Sequence, residues 1–169
     1  MRPLSIVCLG VLLILAGCTA GPFAGLFGQE DAVTVSVNNS DNVTHTFEVS
    51  VVKLPADATV RRDDGLSGEV ELGRGGVTTN EPGDNHTYTA VELPDSAKLH
   101  GRYTLGPREM NKSSIEEFPR NFAVVVVIYE EDEIVSWVSS TCDGNLVFLE
   151  VTMYDYGASP AFNCEGTLF

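Results

Sequence analysis

Lysine is nearly missing from this 169-residue chain: only Lys53, Lys98 and Lys112 are present, and Lys+Arg total 10 against 24 Asp+Glu. So acidic a surface excludes nucleic acid and anionic lipid headgroups as partners, because both would be repelled. Histidine is confined to His45, His86 and His100, which share no ligand spacing, and none follows Cys142. A blue-copper site needs a histidine and a methionine-like ligand just after its cysteine, so copper is excluded. The Gly-x-Ser-x-Gly elbow, the glycine-rich phosphate loop and the His-Glu-x-x-His helix are all absent. The calcium-loop pattern is missing too, so Glu130-Glu131-Asp132-Glu133 reads as a solvated turn between two apolar strands. Carboxylates are so abundant that no glycosidase-like pair stands out. Neither an enzyme nor a cofactor is expected, and no strand–helix–strand repeat occurs.

What is present begins at the N-terminus. Arg2 precedes an apolar run from Leu4 to Leu15, closed by Leu15-Ala16-Gly17-Cys18. This resembles the lipobox of prokaryotic lipoproteins, in which the run directs export and the cysteine receives lipid before cleavage ahead of it. The resemblance implies a signal peptide over residues 1–17, a lipid attached at Cys18 and a protein held on the outer face of the cytoplasmic membrane. A spanning helix would need about 20 apolar residues, more than this run supplies. An ordinary signal peptidase site at Cys18-Thr19-Ala20 is the competing reading. Two acyl chains on one cysteine hold firmly, at ~0.8 kcal/mol per buried CH₂, where a single chain binds only reversibly. Residues 18–31 read as a Gly/Ala-rich tether, in which Phe23, Leu26 and Phe27 either meet the lipid interface or pack on the domain.

Cleavage would remove Arg2 and no carboxylate, leaving 24 acidic against 9 basic residues, a side-chain charge of −15. This lysine-poor acidity resembles proteins of haloarchaea, whose carboxylates keep the surface hydrated in molar salt. With Cys8 cleaved away and Cys18 lipidated, Cys142 and Cys164 have only each other. Outside the cytosol a disulfide is expected between them. Asn38, Asn42, Asn85 and Asn111 each open an Asn-x-Ser/Thr sequon, a candidate site of N-glycosylation.

From residue 32 the pattern is β. Val33, Val35 and Val37 alternate with polar residues, and Val43, His45, Phe47, Val49 and Val51 do so after the turn Asn39–Asn42, which together read as a hairpin with one buried face. Strands are expected at Glu69–Leu72, Thr87–Leu93 and Arg102–Leu105. Phe122–Tyr129 is apolar throughout, as suits a central strand buried on both faces. Ile134–Thr141 and a strand carrying Val147, Leu149, Val151 and Met153 are expected to pair through an Asp143-Gly144 turn. Ser113–Glu117 has a capping-box pattern and predicts one helical turn before Pro119.

Pro82-Gly83-Asp84-Asn85-His86-Thr87-Tyr88, then Leu93-Pro94 and Gly101-Arg102-Tyr103-Thr104-Leu105, resemble immunoglobulin-like modules of prokaryotic surface proteins. The resemblance spans residues 32–105 and implies adhesion or binding. Trp137 precedes both cysteines, so the antibody Cys…Trp…Cys order is absent. The expected architecture is all-β, with a single immunoglobulin-like β-sandwich over residues 32–169. The expected function is a non-catalytic binding or envelope-interaction module, whose partner is an envelope protein or glycan met through an exposed aromatic patch involving Tyr154 and Tyr156. An accessory ligand-binding component of a transporter or sensor, with an enclosed pocket, is the alternative. A secreted hydrolase ranks third.

Overall fold

The computed structural model describes residues 32–73, 87–116, 118, 121–142 and 145–165. Cys18, the signal segment, the tether, Asn85, His86 and the Asp143-Gly144 turn lie outside them. The described chain forms β1 (Val33–Asn39), β2 (His45–Lys53), β3 (Asp57–Arg62), β4 (Ser67–Glu71), β5 (Tyr88–Glu92), β6 (Lys98–Leu105), β7 (Met110–Ile115), β8 (Phe122–Glu130), β9 (Glu133–Ser140), β10 (Leu146–Tyr154) and β11 (Gly157–Cys164). These build a four-stranded sheet, β11-β10-β1-β7, and a seven-stranded sheet, β4-β3-β5-β9-β8-β2-β6. The architecture is an all-β sandwich.

The inner faces of the two sheets bury Val33, Val35, Val37, Leu149 and Val151 against Phe47, Val49, Val124, Val126 and Ile128. Burial of apolar side chains such as these, at roughly 25 cal/mol per Å², is what holds the layers together. β8 serves two cores, as its unbroken apolar run requires. Val124, Val126 and Ile128 face the first, while Val125 and Val127 face a second with Val52, Ala58, Val60, Leu72, Ile134 and Trp137. The second core exists because the seven-stranded sheet folds back on itself. β5 meets β9 through a single residue pair, Tyr88 with Ile134, and the β4-β3-β5 end then lies across the outer face of β9, β8 and β2.

Two expected hairpins are sheet crossings. β1 lies between a parallel β10 and an antiparallel β7, whereas β2 pairs with β6 and β8 in the other sheet. Likewise β9 belongs to the seven-stranded sheet and β10 to the four-stranded one. In each case both strands carry an apolar inner face, and facing each other across the core buries both faces. Ser113–Ile115 of the expected helical turn belong instead to strand β7, paired with β1 from Val33↔Ile115 to Asn38↔Met110, while Glu117 lies outside the described residues. One turn cannot offset its nucleation cost, and the ladder on β1 satisfies the same backbone groups. A bulge between Leu146 and Phe148 places Leu146, not Val147, in the core. On β2, Ser50 and Val52 are buried as well, since the second core covers the face expected to be solvated.

The Cys142–Cys164 disulfide is formed, with Cα atoms 5.8 Å apart. It joins the segment after β9 to the end of β11, and so staples one sheet to the edge of the other.

Candidate functional site

The folded-back β4-β3-β5 flap turns Leu66, Val70 and Leu72, together with Ala58, Val60 and Arg62, toward the second core. Gly68 interrupts that row, at a position the alternation assigns to an apolar side chain. A Cβ built on Gly68 would meet nothing within 4 Å. The gap is a recess of about 260 Å³, lined by Val60, Arg62, Leu66, Gly68, Val70, Tyr88 and Trp137 among others. Trp137 is 1% exposed, and its indole Nε1 has no hydrogen-bond partner among the described residues. A buried donor without a partner costs about 1–3 kcal/mol. Leu66, 61% exposed, stands at the rim.

Two ion pairs lie on the flap, one at Arg62 in the wall of the hollow and one on the flap's opposite face. Arg62 Nη2 donates to Asp64 Oδ2 at 3.0 Å, and Arg61 Nη2 donates to Glu92 Oε1 at 2.6 Å. Two wider depressions differ in character. One, of about 420 Å³, lies among Leu54, Pro55, Leu72, Gly73, Asn121 and Thr141. The other, about 450 Å³, is the β8–β9 turn with Glu130, Glu131, Asp132 and Glu133 around it. Among the described residues no group of three His, Cys, Asp or Glu could hold a metal ion.

The other sequence candidates are scattered. Tyr154 and Tyr156 stack with ring centroids 5.1 Å apart at the β10–β11 turn, and Tyr156 is 73% exposed. Phe162, also exposed, faces the opposite side of β11. Asn38 is half-buried in the middle strand of the four-stranded sheet, Asn42 is exposed in the first crossing, and Asn111 is half-buried on the edge strand β7. His100 Nε2 shares a 3.3 Å hydrogen bond with Ser113 Oγ. Among the described residues that pair has no carboxylate on the other ring nitrogen and no recess beside it. It bridges the edges of the two sheets. The recess itself was missed in the sequence, although Leu66-x-Gly68-x-Val70-x-Leu72 carries its signal as a gap in an apolar alternation.

His45 is fully buried, and its Nε2–H donates to Asp41 Oδ2 at 3.0 Å, while Nδ1 has no partner among the described residues. The sequence had placed this histidine on the buried face, and the first crossing supplies its partner. The His45 hydrogen bond, followed by the Asn42 N–H, holds the Asp41 carboxyl below its ordinary 3.8. A carboxyl depressed in the folded state stabilises the fold above its unfolded pKa, and that contribution disappears as pH falls through the folded value. Stability should therefore fall from about pH 4 downward, and Asp41→Asn should flatten that part of the profile. Urea midpoints measured across the acid range check this; parallel curves for the two proteins would refute it. On the far side of the seven-stranded sheet, burial and then Glu48 raise the Tyr129 phenol, while Arg102, 5.5 Å from its ring centroid, opposes them.

No family model and no curated protein matches the sequence. Among solved structures, one described as "Crystal structure of the human-specific toxin intermedilysin" matches with TM-score 0.31 and 7% identity, over 79% of this chain and 23% of that chain. A second, "Trapped Toxin", matches with TM-score 0.31 and 7% identity, over 79% of this chain and 24% of that one. The chain thus corresponds to about a quarter of each of these structures.

Proposed function

We infer that this chain is a lipid-anchored extracytoplasmic protein whose β-sandwich is a non-catalytic binding module, facing another component of the envelope. The observation that carries the reading is the recess beneath Gly68, a mostly apolar hollow open at the edge of a sheet beside the buried indole of Trp137. Its size separates the two binding classes. Sites that engulf a small molecule run from ~300 to ~1,000 Å³, whereas about 260 Å³ accommodates one protruding side chain of a partner. At this recess an interaction contact is favoured over a ligand cavity; the wider depressions of about 420 Å³ and 450 Å³ fall within the small-molecule range and do not enter the reading. The exposed Tyr154–Tyr156 stack offers a second contact of the kind such a module uses. The anchor rests on the Leu15-Ala16-Gly17-Cys18 segment alone.

The intact mass of the protein extracted from its host's membranes tests the anchor. A chain starting at Cys18 with added lipid is expected, and a lipid-free soluble chain starting at Gly21 would overturn the anchor. Trp137 is the only tryptophan, so its emission tests the recess. Envelope glycans should shift its emission, and fractionated envelope proteins the fluorine resonance of the chain labelled there with 5-fluorotryptophan, in the wild type and not in Gly68→Leu, which fills the hollow. No shift from any fraction would remove the binding reading.

A further inference from the structure

Resting on that reading, we propose that the outer edge of β4, which no described residue pairs with, and the recess beneath Gly68 form one site, which takes an extended, basic-flanked strand of a partner protein and seats one of its apolar side chains against Trp137. The direction of the backbone groups supports this. Arg62 N–H donates to the Leu66 carbonyl at 2.9 Å, and Leu72 N–H donates to the Ala56 carbonyl at 2.9 Å. In an antiparallel ladder the peptide groups of alternate residues address the same neighbour. Leu66, Gly68, Val70 and Leu72 therefore address β3, and the N–H and C=O of Ser67 and Glu69 face away from it. β4 ends the order of the seven-stranded sheet, and nothing among the described residues pairs with its outer side. An added strand would lie ~4.8 Å beyond β4. Its inward side chain beside Gly68 then meets the recess, where no side chain of β4 stands in the way.

Charge selects the partner. The flap bears Asp57, Asp63, Asp64, Glu69, Glu71 and Glu92 against Arg61 and Arg62, a net charge of −4. Lysine or arginine on either side of the inserted strand would be drawn to it, and an acidic strand would be repelled. Main-chain pairing supplies affinity and the recess supplies the side-chain preference, as in other recognition by strand addition. The electrostatic part is screened within about 3 Å in 1 M salt and about 8 Å in 0.15 M, whereas the ladder and the apolar contact persist in both.

The probe is a short capped peptide in which threonine alternates with leucine and valine between terminal lysines, titrated against Trp137 emission. A saturable shift is expected, tighter at low salt and lost when alternate peptide nitrogens are methylated. Gly68→Leu should weaken binding roughly tenfold or more, with an unchanged thermal midpoint because its Cβ enters open space. Glu69→Pro should do the same, since proline is tolerated where the strand N–H points away from the ladder, and Glu69→Gln controls for its charge. A methylated peptide that binds as well as its parent, or a Gly68→Leu protein that binds as well as wild type, overturns the inference. Cyclohexanol, which does not fluoresce, shifting the emission when the peptide does not would also overturn it, yet would leave the binding module standing. Silence from both probes would remove the recess as a site, and the proposed function with it.

Discussion

Asn39→Ala should cost about 3–5 kcal/mol of stability, on ~1–3 kcal/mol for each buried polar group left without a partner. Asn39 is fully buried at the end of β1. Its amide Nδ2 donates to the carbonyls of Val43 at 2.7 Å, Leu105 at 3.0 Å and Gly106 at 3.1 Å. Its Oδ1 accepts the Asp41 N–H at 3.0 Å. The backbone adds a bond from its own N–H to Glu109 and one from Arg108 N–H to its carbonyl. One side chain thus fixes the crossing between sheets, the end of β6 and the entry to β7. Alanine removes this donor from the buried Leu105 carbonyl and from the part-buried Val43 and Gly106 carbonyls. The thermal midpoint should fall by about 10–20 °C at this chain length. The neighbouring sequon at Asn38 survives the change, because any residue but proline is accepted at its second position. Asn39→Asp should be no better, since it exchanges the donors for a charge facing carbonyl oxygens. A midpoint within a few degrees of wild type would show that the corner does not depend on this amide.

Removing the Cys142–Cys164 bond should cost about 3 kcal/mol by the chain-entropy estimate for its 22-residue separation. The bond closes β10 and β11 into a loop that begins beside β9. Without it the β11 edge of the four-stranded sheet is held only by its ladder to β10 and its contact with β9. Denaturant midpoints of the double variant Cys142→Ala/Cys164→Ala, compared with reduced wild type, check the value. The two should agree, because both remove the same constraint from the unfolded chain. Equal stability of oxidised and reduced protein would refute the estimate.

The strands themselves were legible in the sequence because period-two alternation is a local property. Val33-Val35-Val37, Phe122–Tyr129 and Leu149-Val151-Met153 each announce a buried face without reference to any other segment. The cysteine pair was equally legible, since elimination left one pairing. Which strands would be neighbours was not. Asn39–Asn42 and Asp143-Gly144 carry hairpin signals, yet β1 and β2, and likewise β9 and β10, belong to different sheets. An apolar face can be covered by a facing sheet as well as by a helix, and alternation does not say which strand supplies the cover.

The same limit hid the recess. Gly68, Tyr88 and Trp137 lie on three different strands, and only the fold-back of β4-β3-β5 over β9 brings them to one hollow. The sequence by itself determined an acidic, all-β chain with one available disulfide, because composition and alternation act residue by residue. Tertiary structure alone decided which sheet each strand joined, where a second core formed and where it was left unfilled. Those outcomes depend on contacts between residues far apart in the chain, and no local pattern encodes them.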